Sequence, residues 1–479
     1  MRVLLLPPTA RARVVAFAVA AVSLAGCASF SPDAGMNVVS SVAATALGQE
    51  ARRLDTGPAT EEARIRVRRL LASPLSAEAA AQIALFNNRG LQAVYNGLGV
   101  AEAVRVEASL PPNPTFSLSG ISTSVELDVE RRLVGDVLAL ATLPARTEIA
   151  GDRFRQAQLD AARETLRVGV ETRRAYYRAV ASRQLADFLA QANRAAETSA
   201  NLAMELGKTG ALNKLDQARE QSFQLELSAQ LATARQRATT DREALVRAMG
   251  LWDSDLGFKL PGVLPPVPKR PMSLPGIEIQ ALRQRIDVRI ARIEVEALAR
   301  SHGLTSATRF INLLDVAGIS RSQREGGAEG SGGGVEVDFQ VPIFDFGEVR
   351  LRQARDAYME AVNRLTESAV NARSEARDAY QTYVSSYDVA VSYRDRILPL
   401  RQVITNEMAL RYGAMQIDVF ALLIEAREHV TVNIAAIEAQ RDFWLAGANL
   451  TAAVAGGGIV REAGAGPRVA AGPAAAPGE

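Results

Sequence analysis

The chain carries few of the side chains that perform covalent or metal chemistry: one cysteine, Cys27, and two histidines, His302 and His429, among 479 residues. A single cysteine excludes an internal disulfide, and so few thiols and imidazoles exclude the Cys/His sets that bind structural zinc. The sequence also contains no HExxH, Walker-type or GxSxG motif. It therefore predicts no enzyme, no cofactor and no metal site.

The position of Cys27 is informative. An apolar run from Val14 to Ala25 follows several arginines, and its length of about a dozen residues is typical of a signal-peptide core. The run ends in Leu24-Ala25-Gly26-Cys27, which resembles the bacterial lipobox, whose cysteine carries the lipid. An ordinary cleaved signal with an incidental cysteine is the alternative. Because Ala28 and not aspartate follows the cysteine, the resemblance implies lipid attachment at Cys27 and an outer-membrane destination.

Carboxylates alternate with apolar residues in two segments, 125–130 and 335–340. This alternation predicts strands with one polar and one apolar face. The segments align without a gap at an offset of 210 residues, which indicates an internal repeat. If the apolar face meets lipid, the polar face lines a pore, and rings of acidic residues there favour cations, whereas a lumen that is merely polar and hydrated is the alternative. The pore-lining candidates are Glu126, Asp128, Glu130, Glu336, Asp338 and Gln340.

Long helices must hold these strands. The pattern predicts helices over 150–206, 211–249, 347–411 and 415–453, and the longer ones would extend for roughly 85 to 100 Å. Small and aromatic residues recur at spacings of mostly four and three, from Ala354 to Tyr383, which is typical of a coiled-coil seam. A plain helical bundle would show the same periodicity, so the strands decide between them.

Each alternating segment follows another candidate strand, 115–122 in the first half and 309–320 in the second. A glycine-rich stretch, 326–334, is expected to be an exposed flexible loop in the second hairpin. No other segment of the chain could cross a bilayer as a helix, and four strands cannot close a barrel. Since open strand edges are costly in hydrocarbon, the chain must oligomerise to close one.

The predicted organisation has six parts. They are a signal peptide (1–26), a lipidated N-terminal segment (27–75), a first repeat (76–256, strands about 114–134), a Pro/Gly linker (257–276), a second repeat (277–453, strands about 309–343) and a disordered tail (454–479).

From residue 76 to 453 the chain resembles the TolC family of outer-membrane efflux and secretion channels. The motifs that carry the resemblance are 111–114 before the first hairpin, 342–347 after the second, and the helical turns at 208–216 and 412–420. The resemblance implies a mainly α fold with a transmembrane β-barrel, in which three copies close twelve strands and a periplasmic α-barrel. It also implies that the turns dock a periplasmic adaptor, although any helical hairpin needs a turn. The docking candidates are Gly210, Leu215, Asp216, Tyr412, Gly413 and Asp418.

The family resemblance implies a homotrimer that passively conducts small solutes, drugs or metal ions, from an inner-membrane pump and adaptor across the outer membrane. A resemblance of the second turn to members associated with metal resistance is a further hint. The outlet of a type I protein-secretion system and a coiled-coil structural lipoprotein without a pore are the alternatives. Nucleic acid is excluded as a partner, because the formal charge is only +2 and basic residues are interleaved with acidic ones.

Overall fold

The computed structural model describes residues 29–54, 57–123, 126–210, 212–325, 327–417 and 419–456. Cys27, Asp418 and most of the predicted C-terminal tail lie outside these ranges. Among the described residues, no helix combines the length and the apolar character needed to cross a bilayer.

Helices dominate the structure, and each half of the chain supplies a two-stranded hairpin followed by a long helix and a shorter one. In the first half these are α1 (Met36–Leu47), α2 (Pro58–Leu71), α3 (Ala77–Asn87), α4 (Arg89–Ser109), β1 (Thr115–Ser122), β2 (Glu126–Asp136), α5 (Val137–Lys208), α6 (Lys214–Met249) and a 3-10 turn (Asp253–Gly257). In the second half they are α7 (Ile277–Gln284), α8 (Ile286–Ala307), β3 (Leu313–Glu325), β4 (Ala328–Gln340), α9 (Glu348–Ser392), a π-helical turn (Tyr393–Ile397), α10 (Leu398–Gly413) and α11 (Val419–Ala455).

The longest helix, α5, has 72 residues and therefore extends for about 108 Å. The part of the second half that corresponds to α5 is a continuous helical segment, in which α9 passes through the π-helical turn into α10. The predicted seam of α9 is confirmed: Ala372, Ala376 and Tyr383 are buried. Ala376 and Tyr383 pack in one core with Phe443 and Leu450 of α11. Small residues in the seam allow the two helix axes to approach closely, as the spacing predicts.

The four predicted strands form one antiparallel sheet in the order β1-β2-β3-β4. The glycine-rich stretch is not the loop that we expected. Residues 328–334 belong to β4, where Gly330, Gly332 and Gly334 lie opposite Gln323, Arg321 and Ile319 of β3. Glycine weakens a strand through its entropy but keeps its backbone N–H and C=O, so pairing with β3 along all thirteen residues of β4 overrides the local preference.

The ends of the chain also depart from the prediction. The N-terminal connector contains two helices, α1 and α2, and Val39, Ala43 and Leu47 of α1 are buried in a core with α5. Helix α11 continues to Ala455, two residues beyond the predicted limit. These helices are stabilised by burial against distant parts of the chain, and sequence periodicity alone does not predict such burial.

The linker at 257–276 runs across helices of both halves, and we call it the strap. Arg183 of α5 donates to the carbonyl of Leu260 (2.8 Å), and Trp444 of α11 donates to that of Pro265 (2.9 Å). Arg394, in the π-helical turn, donates to the carbonyl of Val267 (2.7 Å). The same guanidinium hydrogen-bonds Asp395 and holds the pKa of that carboxyl below its ordinary value. The strap therefore ties the two halves together at mid-height of the long helices.

Candidate functional site: a two-faced sheet and two helical turns

One face of the sheet is apolar and uncovered. Residues that lie directly opposite each other on neighbouring strands share a face, and the observed register collects ten apolar side chains on one side. Val335 is 77% exposed and Phe339 67% exposed, so nothing in the described chain covers this surface. The ten are Phe116, Leu118, Leu127, Val129, Leu133, Leu314, Val316, Val335, Val337 and Phe339.

Charged groups bound this apolar area toward the hairpin ends. Arg324 pairs with Glu329 there, and the only charged residue farther in, Arg131, donates to the hydroxyl of Ser322 (3.2 Å). An exposed apolar surface of this extent, with a polar border, marks a site of contact with lipid or with another protein.

The opposite face is charged and predominantly acidic. It carries eight carboxylates and two arginines, so its net formal charge is −6. All six pore-lining candidates predicted from the sequence lie on this face. The carboxylates are Glu126, Asp128, Glu130, Asp136, Asp315, Glu325, Glu336 and Asp338, and the arginines are Arg132 and Arg321.

Arg132 binds two of the predicted carboxylates at once. Its guanidinium donates to Glu336 (2.7 Å) and to Asp338 (2.8 Å), and so reaches from β2 to β4. The strand between them places the small, fully buried Ala317 opposite Glu336. A larger residue at that position would obstruct this bridge.

Arg321 and Gln323 of β3 bind two more of the predicted carboxylates. Arg321 donates to both carboxylate oxygens of Asp128 (3.0 and 2.9 Å), and Gln323 hydrogen-bonds Glu126. The sequence reading missed these basic and amide partners. The signal was present in β2, where Arg132 continues the spacing of two that begins at Glu126 and Asp128.

In the first helical turn, Gly210 has a φ of +76° and ends α5. Asn213 accepts a hydrogen bond from the amide of Asp216 (2.9 Å) and so caps α6. The Asp216 carboxylate is buried and accepts hydrogen bonds from the side chains of Asn213 and Arg219. Its negative charge still lies in the first turn, where it complements the helix dipole. Leu215 is 60% exposed beside it.

The second turn does not depend on a glycine with a positive φ. Gly413 is the last residue of α10, and the positive φ (+58°) belongs to Met415. A left-handed conformation costs a residue with a side chain about 1 kcal/mol or more, and here the turn places Met415 in solvent, 93% exposed. Tyr412 is partly exposed at the end of the same helix. Asp418 lies outside the described residues.

Close to these turns, an ion pair joins the two helical hairpins. Arg427 of α11 donates to Glu220 (3.2 Å) and to the carbonyl of Arg219 (2.9 Å), both on α6. Its guanidinium also lies over the ring of Phe223, 4.6 Å from the centroid. Glu220 is only 3% exposed. Near the turns, the long helices of the two halves are thus joined by an ion pair whose carboxylate is buried.

Cys27 lies outside the described residues, but the chain just after it is fixed. The amide of Ser31 donates to Glu102 of α4 (2.6 Å), and Arg105 donates to the carbonyl of Ser29 (3.1 Å). Among the described residues no cluster of His, Cys, Asp or Glu is arranged to hold a metal ion.

The sequence matches no protein-family model and no curated protein. Solved structures do match. The outer-membrane channel OprN aligns with a TM-score of 0.66 at 18% identity, over 90% of this chain and 97% of its own. CusC, whose crystal structures concern folding and transmembrane channel formation, aligns with a TM-score of 0.66 at 16% identity, over 81% of this chain and 92% of its own. The Campylobacter jejuni CmeC outer membrane channel aligns at 0.64 and 17% identity, over 80% and 86%. The chain therefore has the fold of these outer-membrane channels, which confirms the predicted TolC-like fold.

Proposed function

We propose that this chain is one protomer of a lipid-anchored, trimeric outer-membrane channel, attached through Cys27, which conducts small solutes passively out of the periplasm. The observation that carries the proposal is the two-faced sheet, with an uncovered apolar face and a charged face, mounted on helices about 100 Å long. The apolar face suits lipid and the charged face suits an aqueous lumen. The likeness in fold to known outer-membrane channels supports this placement.

The edges of the sheet support closure by several copies. Within the described chain, β1 and β4 each have a strand on one side only. Backbone groups on an open edge cannot be left unpaired in hydrocarbon, because each costs several kcal/mol. The two halves of each chain act as repeats, and three chains would join their edges into a twelve-stranded barrel, with the long helices continuing the tube through the periplasm.

Purified trimers are expected to conduct in planar lipid bilayers, with discrete current steps. Because the charged face carries a net formal charge of −6 per copy, the reversal potential in a KCl gradient should indicate a preference for K⁺ over Cl⁻. Replacing both Arg132 and Arg321 by Gln should increase that preference. Intact trimers that produce no current steps would exclude a channel and favour a structural lipoprotein. Conduction without ion preference would indicate a lumen that is only polar and hydrated.

The two helical turns are the proposed docking sites for a periplasmic adaptor, which would connect the channel to an inner-membrane pump. Leu215 and Met415 are the apolar side chains most available for this contact, since both project into solvent from turns with defined backbone geometry. Methionine and tyrosine are enriched in protein–protein interfaces relative to the rest of the surface. Tyr412 is a further contact in the second turn.

Photo-cross-linkers attached at Leu215→Cys or Met415→Cys are expected to capture the adaptor encoded beside this gene. Cys27 is the only native cysteine and is blocked by lipid in our proposal, so each variant has one free thiol. Arg235→Cys is the matched control, exposed on α6 about 30 Å from the turn, and should give no adduct. Assembled trimers without an adduct from either turn would refute docking there. A neighbouring cassette ATPase in place of a proton-driven pump would favour protein secretion.

A further inference from the structure

A basic cleft lies between α4 and α5, below the sheet. Its volume is about 440 Å³, and its floor is apolar, formed by Val104, Ile149 and Phe154 with several alanines. Three arginines line it: Arg105 from α4, and Arg146 and Arg153 from α5. Arg146 and Arg153 are seven residues apart, so they lie on one side of α5, two helical turns from each other.

The positive charge of the cleft is only partly neutralised by the protein, because Arg105 alone has an acidic partner, Glu102, at 3.6 Å. No carboxylate lines it. Glu102 also accepts a hydrogen bond from the amide of Ser31. Two acidic residues of α5 near the cleft pair with other arginines: Glu148 with Arg300 (3.5 Å), and the buried Asp152 with Arg155 (2.9 Å) and Arg300. Across the described ranges, Arg146 and Arg153 form no ion pair. The Nε of Arg105 is buried without a hydrogen-bond partner, while its guanidinium lies over Phe154, 5.4 Å from the ring centroid.

Two observations place this cleft near a membrane surface. Exposed apolar residues continue below the sheet as Leu140 on α5 and Phe344 before α9, and Arg146 follows Leu140 by about 9 Å along the helix. Arginine can extend its charged end toward a bilayer over a similar distance. In addition, Arg105 binds the carbonyl of Ser29, and Cys27 is only two residues, at most about 7 Å, farther along the chain. A lipid on Cys27 would bring the bilayer to this side of α4.

We infer that the cleft binds the headgroup of an anionic phospholipid from the periplasmic leaflet. This inference rests on the outer-membrane placement proposed above. The phosphate lies among Arg105, Arg146 and Arg153, and the first carbons of the acyl chains lie on Val104, Ile149 and Phe154. Guanidinium groups bind phosphate with charge-assisted, often bidentate hydrogen bonds. The apolar floor distinguishes an amphiphile from a free anion, which could use only the arginines.

The test is a thermal-shift titration of the full-length mature trimer in detergent with short-chain phosphatidylglycerol. We expect saturable stabilisation, and about a tenfold or greater rise in the half-saturating lipid concentration for the Arg146→Ala/Arg153→Ala variant. Arg194→Ala/Arg235→Ala, which removes two exposed arginines from the shaft, is the charge-matched control and should bind as the parent does. Phosphatidylcholine with the same chains should stabilise far less, and inorganic phosphate should not stabilise at all.

Unchanged half-saturation in the cleft variant would overturn the inference, as would equal stabilisation by phosphatidylcholine. Stabilisation by inorganic phosphate alone would identify a simple anion site. Dissociation of the trimer by Arg146→Glu/Arg153→Glu would show that a second copy of the chain, and not lipid, fills the cleft. Bilayer conductance and the intact mass of the same preparations, which reports acylation of Cys27, separate failure of this inference from failure of the proposed channel.

Discussion

The Val335→Arg variant is expected to form little of the membrane-inserted trimer that we propose for this chain. Val335 lies near the middle of the edge strand β4 and is the most exposed side chain of the apolar face. A guanidinium facing lipid near the bilayer midplane costs about 2 to 4 kcal/mol per copy, and each copy in a closed ring would carry one. The measurement is the fraction of protein recovered from outer membranes as a heat-resistant trimer, compared with the unmodified chain.

Gly334→Arg is the matched control for that substitution. Gly334 is the preceding residue, it lies on the charged face opposite Ile319, and an added Cβ there meets no other atom within 4 Å. The same side chain would then extend into water, so insertion should be close to that of the unmodified chain. If Gly334→Arg failed to insert and Val335→Arg inserted normally, the two faces would be assigned the wrong way round. If both inserted normally, the sheet would not cross a membrane.

Arg427→Ala is expected to destabilise the packing of the two helical hairpins by about 3 kcal/mol. The substitution leaves the carboxylate of Glu220, 3% exposed, without its main partner. An uncompensated buried charge costs much more than a lost surface ion pair, which is worth at most about 1 kcal/mol. The measurement is the thermal midpoint of helix unfolding, followed by circular dichroism of the detergent-solubilised trimer.

Two further variants decide whether burial is the cause. Arg427→Ala/Glu220→Gln removes the stranded charge and should recover much of the lost stability. Arg411→Ala breaks the exposed pair with Glu407, in which both side chains are 54% exposed, and should have little effect. A midpoint for Arg427→Ala that matches Arg411→Ala, or no recovery in the double variant, would show that the Glu220 pair does not hold the hairpins together.

The sequence predicts features that repeat with a regular period. The seam of α9 and the alternation in β2 and β4 each follow from spacing alone, because burial on one side imposes a period of about 3.5 or of 2. The predicted limits of β1, 115–122, agree with those observed. The carboxylates proposed for the lumen also share one face, as alternation requires.

Other features depend on contacts between distant parts of the chain. Arg132 reaches Glu336 and Asp338 across more than two hundred residues of sequence, and only the register of the completed sheet brings them together. The glycines of β4 form a strand because β3 pairs with them. In the second turn the left-handed conformation belongs to Met415 and not to Gly413, so the position of the glycine does not indicate where the chain turns. Local preference is a weak guide where tertiary pairing decides.

The strap has a consequence for how freely this protein can change during evolution. Side chains of the helices donate hydrogen bonds to the backbone carbonyls of the strap at Leu260, Pro265 and Val267. Any amino acid retains its carbonyl, so most replacements within the strap keep these bonds, while loss of Arg183, Trp444 or Arg394 removes one outright. The sequence of the strap can therefore diverge during evolution, while the helix residues that donate these hydrogen bonds stay constrained.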